Sequence, residues 1–203
     1  MEKKISNILS VVLHPLLVPT FFVLVVYQFP VYFLPVQLIE IKYVVLLYVV
    51  LMTGIAPALV AFVLWRFKVI RSLTMKQRSD RVFPLLTMAV FYYFTYFTLN
   101  RQGSFPVLNL FLVGSAILAL LTLLVNNYSK ISLHLISWGG FSGALTGLAF
   151  LFHLEPFFWI VLILFLSGLT GFARLKADAH KPREVYMGYM LGFVVMFALF
   201  LIA

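Results

Sequence analysis

Residues 173–192 concentrate ionisable side chains in a chain that is 64% hydrophobic. Glu184 follows His180 by four residues, and Arg174 precedes His180 by six. If a helix begins at Pro182, Glu184 lies in its first turn and can reach back to the His180 ring. A carboxylate that holds one imidazole nitrogen leaves the other for nucleophilic attack or proton transfer. An ordinary charged loop would explain the charge, but not this combination at this spacing.

Two further segments carry residues suited to binding an anion. Ser132 and His134 open an apolar run, at a predicted helix start where backbone N–H groups attract anions. Lys76 and Arg81 belong to a basic stretch, and such cations are natural ligands for phosphate. Each segment taken alone also has a simpler interpretation: an interfacial histidine without a role, or cations that set topology and contact lipid headgroups.

The composition defines the elements that must position these residues. Only 10% of the residues are charged and the mean hydropathy is +1.08, whereas soluble domains carry about a quarter charged residues. Runs of about 20 apolar residues can cross a bilayer, and hydrocarbon requires them to be helical. We therefore predict an all-α integral membrane protein, a polytopic bundle of about 6–7 transmembrane helices that forms one domain over residues 1–203. The expected spans are Leu9–Tyr27, Tyr43–Trp65, Val82–Leu99, Val107–Val125, Leu133–Phe152, Pro156–Phe172 and Val185–Ile202.

The distribution of basic residues predicts how the chain is oriented. Thirteen of the 15 would lie on one side of the membrane, and only Lys42 and Arg101 on the other. This bias places the N-terminus and the segments 66–82, 126–132 and 173–184 together at the cytoplasmic face, in what we expect to be a bacterial inner membrane. It also accounts for the net charge of +9 without a nucleic-acid partner.

The three segments together resemble the signatures of the type-2 phosphatidic-acid phosphatase superfamily, which also includes the vanadium haloperoxidases. Arg174-x5-His180-x3-Glu184 is similar to the third signature, S-R-x5-H-x3-D. Ser132-Leu-His134 matches the serine and histidine of the second, P-S-G-H, and Lys76-x6-Phe83-Pro84 keeps the lysine and proline of the first, K-x6-R-P. The three occur in the family's order.

Several positions depart from these signatures. Ala173 replaces the serine beside the arginine, and Glu184 replaces the aspartate. Ile131 and Leu133 replace the proline and glycine of the second signature, while Phe83 occupies the arginine position of the first, with Arg81 as a possible substitute.

The resemblance implies a role for each matched residue. His180 would attack phosphorus and form a phosphohistidine, Glu184 would orient it, and His134 would protonate the leaving group. The phosphoryl oxygens would be held by Lys76, Arg81, Ser132 and Arg174. The family's mechanism implies neither a metal nor another cofactor.

We thus expect a membrane phosphatase that acts on a lipid phosphate or diphosphate, such as phosphatidic acid, phosphatidylglycerophosphate or polyprenyl diphosphate. Its partners would be this phosphorylated lipid and the bilayer. The alternative is a catalytically degenerate member that binds phosphorylated lipid or serves as a membrane scaffold. A transporter has less support because midspan ionisable residues are nearly absent.

Other polar or small residues have structural interpretations. Gly139, Gly143 and Gly147 recur every four residues and predict a seam for close helix packing, as do Gly188 and Gly192. His14-Pro15 and Pro19 are expected to kink or open the first span. His14 is interpreted as a packed interfacial histidine, with an approach to the polar end of the site as the less favoured alternative, and His153 is placed on the opposite membrane face.

Overall fold

The computed structural model describes residues 2–29, 41–75, 77–101 and 105–202, and this part of the chain contains helices and no strands. The α-helices are α1 (Glu2–Val12), α2 (Val18–Val26), α3 (Lys42–Val49), α4 (Ala56–Arg66), α5 (Val82–Arg101), α6 (Pro106–Asn126), α7 (Leu133–Phe152), α8 (Phe157–Lys176) and α9 (Pro182–Ile202). Short 3₁₀ helices cover Pro15–Leu17 and Ser79–Arg81, and a π-helical turn covers Val50–Ile55.

Within the described residues, seven helical stretches are long and apolar enough to cross a membrane, which confirms the predicted helical polytopic membrane protein. They are Ile5–Val26, Lys42–Arg66, Ser79–Arg101, Pro106–Asn126, Leu133–Phe152, Phe157–Lys176 and Pro182–Ile202. The sixth continues beyond its predicted end at Phe172, so Arg174 lies in the last turn of α8, where a cation interacts favourably with the helix dipole.

Packing divides the chain into two compact units. The first comprises Met1–Val18 and Leu124–Ala203, and the second comprises Pro19–Leu123. The interpretation of residues 1–203 as one domain stays a prediction.

In the second unit, Phe22 of α2 stacks on Phe111 of α6 with ring centroids 3.8 Å apart. The Tyr27 hydroxyl donates to the Lys42 carbonyl at 2.8 Å, and burial raises the pKa of Tyr27 to about 12, so this hydroxyl keeps its proton. The π turn ends just before Pro57, whose missing N–H and bulky ring disturb regular helical bonding.

In the first unit, α7 and α9 pack with their backbones in close contact. A Cβ added at Gly139 or Gly143 would collide with the backbone carbonyl of Tyr189 or Phe193, and one added at Gly192 would lie 2.7 Å from the Gly140 nitrogen. A Cβ at Gly188 would lie 2.9 Å from the Ser132 carbonyl oxygen. The predicted glycine seam is therefore confirmed, and its partner is α9.

The first span is interrupted at His14-Pro15, as predicted. Helix α1 ends at Val12 because Pro15 has no N–H to continue the hydrogen-bond ladder, and His14 adopts an extended conformation with ψ 140°. Pro19 does not break the chain again, since it is the second residue of α2, where an N–H would have no partner within the helix.

We predict that Gly192→Ala destabilises the protein by about 1–3 kcal/mol, the usual cost of inserting a methyl group into a packed contact. Gly168→Ala is the matched control, because a Cβ at Gly168 in α8 meets nothing within 4 Å. The thermal unfolding midpoint in detergent checks both variants. Equal midpoints for the two would show that the α7–α9 backbone contact does not form.

Candidate functional site

The centre of the candidate site is a hydrogen bond between His180 and Glu184. His180 Nδ1 lies 2.7 Å from Glu184 Oε2, and the His180 side chain is only 3% exposed, whereas Glu184 is 20% exposed. Pro182 is the first residue of α9, as predicted, and this places Glu184 in the first turn. The Lys181 N–H also donates to Oε2, at 3.3 Å. The predicted contact from Glu184 back to the imidazole is confirmed.

This hydrogen bond determines which nitrogen of His180 can react. A carboxylate accepts, so Nδ1 carries the proton and donates it to Glu184. The lone pair of the neutral ring is then on Nε2. A fixed ring with its lone pair on the distal nitrogen is the arrangement that a histidine nucleophile or base requires.

The α7 N-terminus lies against the start of α9 and contributes Ser132. The Ser132 N–H donates to the Glu184 carbonyl at 3.1 Å, so the second and third signature segments do meet. Ser132 occupies the N-cap position, yet its hydroxyl makes no capping hydrogen bond. The side chain is fully buried and Oγ has no hydrogen-bond partner. A buried hydroxyl without a partner is costly and indicates a missing acceptor or donor.

His134 lies in the first turn of α7 and is held by α1. Its Nε2 is 3.0 Å from the Ser10 carbonyl oxygen. Because a carbonyl can only accept, Nε2 must carry a proton, and Nδ1 is the nitrogen left to take up or release one. Arg174, His14 and His180 are all close enough to act electrostatically on His134.

Arg174 adds a guanidinium from the last turn of α8. Its Nη1 donates to the Ser10 hydroxyl at 3.4 Å, and its Nε is buried without a hydrogen-bond partner. Its positive charge acts on both His14 and His134. A buried guanidinium N–H without a partner, close to the His14 and His134 imidazoles, favours an anionic ligand, since such a ligand would supply the missing acceptor.

From the sequence, Ser10 was missed as a residue of the site, and His14 was given the less fitting of two interpretations, since it lies beside the site. Ser10 is buried and contacts both His134 and Arg174, and the His14 ring lies 5.2 Å from the His134 ring, edge to face. The sequence does contain a pattern that indicates a polar helix face here. Ser6, Ser10 and His14 are four residues apart and would share one face of a helix in an otherwise apolar span.

Lys130 stabilises the loop that carries His180. Its Nζ donates to the Ala179 carbonyl at 3.3 Å, and its charge acts on Glu184. This lysine therefore ties the segment before α7 to the segment before α9.

The segment that carries Lys76 and Arg81 is not part of the group of residues described above. Lys76 lies outside the described residues, and Arg81 belongs to the second unit. Arg81 is 4% exposed, with its Nε donating to the Met75 carbonyl at 3.2 Å, and it packs beside the equally buried Asp80. These contacts close the loop before α5. Phosphate binding by Lys76 and Arg81 stays a prediction.

His153 follows the last residue of α7, whereas His134 lies in its first turn, so the two histidines occupy opposite ends of the same helix, as predicted. Within the four described ranges, no three His, Asp or Glu side chains are grouped so that they could hold a metal ion. The ionisable residues that these contacts and charges bring together in the first unit include Arg174, Lys130, Glu184 and the histidines at positions 14, 134 and 180.

No protein-family model, curated protein or solved structure matches this chain.

We predict that Ser132→Ala leaves the ligand-free protein as stable as the wild type or more stable by up to about 1–3 kcal/mol, because it removes an unsatisfied buried hydroxyl. The same change should weaken the stabilisation that inorganic phosphate gives. Unfolding midpoints measured with and without phosphate check both effects. A lower midpoint without phosphate would show that the hydroxyl has a structural partner.

Proposed function

We propose that this protein is a membrane phosphatase that hydrolyses a lipid phosphate or diphosphate through a phosphohistidine intermediate. The observation that carries the proposal is the hydrogen bond from the 3% exposed His180 ring to Glu184, in the same unit as a guanidinium with an unpaired N–H. Two histidines and a carboxylate are more than simple anion binding needs. Phosphate retention could be achieved by Arg174 and Ser132 alone.

The first step would form a bond between His180 Nε2 and phosphorus, and break the bond between phosphorus and the leaving oxygen. Glu184 keeps the ring oriented and stabilises the positive charge that develops on it. A protonated His134 gives its Nδ1 proton to the leaving oxygen while Nε2–H remains bonded to the Ser10 carbonyl. The lipid alcohol, or the lipid monophosphate if the substrate is a diphosphate, departs.

The second step would return the enzyme to its starting state. Neutral His134 accepts a proton at Nδ1 from a water molecule, and the water oxygen attacks phosphorus. The bond between phosphorus and Nε2 breaks, and inorganic phosphate leaves. In both steps Arg174 and the Ser132 hydroxyl hold phosphoryl oxygens, on which the transferring group carries its negative charge.

The membrane location favours a lipid substrate. Ser10, His134, Arg174 and Glu184 lie within membrane-spanning stretches, and His180 and Ser132 lie just outside them, at the end at which Lys130, Lys176, Lys181 and Arg183 are found. A phosphate headgroup lies at this level of a bilayer while its acyl or prenyl chains remain in hydrocarbon. By the positive-inside rule this end is cytoplasmic, and we place the protein in a bacterial inner membrane.

The test uses the purified full-length protein in detergent with phosphatidic acid, phosphatidylglycerophosphate and polyprenyl diphosphate as substrates. We predict that His180→Asn lowers phosphate release by at least about 10³-fold, since it removes the nucleophile. Asparagine keeps a donor near the position of Nδ1 for Glu184, so folding should persist. The intermediate should be trapped on the wild type as a ³²P label that is stable in alkali and lost in acid.

His153→Asn is the matched control. His153 is an exposed histidine with φ 50°, a left-handed conformation that asparagine tolerates. Its activity should equal that of the wild type. Equal release from His180→Asn and the wild type would contradict the enzyme proposal. Phosphate binding that depends on Arg174, without turnover of any of the three lipids, would instead favour a non-catalytic lipid-phosphate binder.

A further inference from the structure

The break at the end of α1 exposes backbone carbonyls that α7 then uses. Because His14 leaves the helix and Pro15 has no N–H, the last carbonyls of α1 lack their usual partners within the helix. One carbonyl of α1 and one just after its end accept from side chains of α7. The Ser10 carbonyl accepts from His134 Nε2 at 3.0 Å, and the Leu13 carbonyl accepts from Trp138 Nε1 at 3.1 Å. The end of α1 is thereby fixed next to the candidate site.

The His14 side chain has a defined orientation at this junction. Its Nδ1 accepts a hydrogen bond from the Leu16 N–H at 3.3 Å and so caps the 3₁₀ helix Pro15–Leu17. With Nδ1 as the acceptor, the neutral ring carries its proton on Nε2. The ring packs edge to face on His134, and the charge of Arg174 acts on it. The remaining donor of His14 therefore belongs to the same group of polar residues as His134 and Arg174.

We propose that the end of the first span is part of the phosphoryl site, with His14 Nε2–H donating to a phosphoryl oxygen and Ser10 positioning Arg174 and His134. This inference rests on the proposed phosphate chemistry and adds a ligand to it. It assigns His14 two functions on its two ring nitrogens: Nδ1 stabilises the chain break, and Nε2 contacts the anion. Ser10 is a positioning residue, because its hydroxyl and carbonyl are engaged with Arg174 and His134.

Two substitutions separate these functions. Asparagine is a preferred capping residue, and its side-chain oxygen lies where Nδ1 does, so His14→Asn keeps the cap and removes the Nε2 donor. Glutamine places its amide nitrogen where Nε2 lies, so His14→Gln keeps the donor and lacks the short capping group. We predict that His14→Asn unfolds at the wild-type midpoint but binds inorganic phosphate about tenfold more weakly, the order expected for one hydrogen bond to a charged ligand.

His14→Gln should show the opposite pattern. Its phosphate affinity should stay within about twofold of the wild type, while its unfolding midpoint falls. Equilibrium dialysis of ³²P-phosphate against the full-length protein in detergent gives the affinities. Displacement of the label by dioctanoyl phosphatidic acid would assign the contact to a lipid headgroup, and failure to displace it would overturn that assignment.

Phosphate binding by Arg174→Gln separates a failure of the role of His14 from a failure of the phosphate site itself. If phosphate binding is lost in Arg174→Gln but His14→Asn binds as well as the wild type, the role of His14 is wrong and the phosphate site stands. If His14→Asn and His14→Gln lose affinity and stability together, His14 is structural only. If the wild-type protein binds no phosphate, both proposals fail.

Discussion

Helices α7 and α9 touch backbone to backbone because glycines leave no side chain between them. A Cβ on Gly139, Gly143 or Gly192 would overlap main-chain atoms of the facing helix. Each glycine costs about 0.5–1 kcal/mol of helix stability relative to alanine. In a bilayer the hydrophobic effect does not drive helices together, so close van der Waals contact must offset this cost. The same contact allows the Ser132 N–H to reach the Glu184 carbonyl, which sets the distance between the helix starts that carry His134 and Glu184.

Polar side chains connect helices α8 and α1 of the first unit to the α7–α9 pair. Helix α8 supplies Arg174 from its last turn, and α1 supplies Ser10, which joins Arg174 to His134 through its hydroxyl and its carbonyl. His14-Pro15 ends the helix early and so leaves the last α1 carbonyls to partners outside the helix. The proline that interrupts the first span therefore affects the site, because a carbonyl near the break orients the histidine of α7. Arg174 Nε and Ser132 Oγ are two of the buried side-chain atoms without a hydrogen-bond partner, and an anion bound at this end of the unit would satisfy them.

Local features of the sequence predicted much of this arrangement. The apolar runs gave all seven spans, Pro182 gave the start of α9, and the four-residue spacing of His180 and Glu184 gave their contact. The glycine spacing gave the seam. The spacing of Ser10 and His14 indicates a shared polar helix face, but their contacts depend on which helix lies against α1, and no local pattern gives that. The boundary between the two compact units, which falls between Val18 and Pro19, likewise depends on contacts throughout the chain. The end of α8 was predicted too early because Arg174 and Lys176 were assigned to a loop, whereas long basic side chains tolerate the final turn of a membrane helix.

The central claim is that a phosphate binds against His180 Nε2 while Glu184 holds Nδ1. The most direct measurement is a solid-state NMR distance between phosphorus and the imidazole nitrogens, on ¹⁵N-histidine-labelled protein in phosphorus-free detergent or lipid with inorganic phosphate added. The account predicts dipolar coupling from phosphorus to Nε2 of His180, corresponding to about 3–3.5 Å, the separation of reacting atoms poised for attack. That coupling should disappear in His180→Asn. Saturating phosphate with no coupling to His180 would contradict the account.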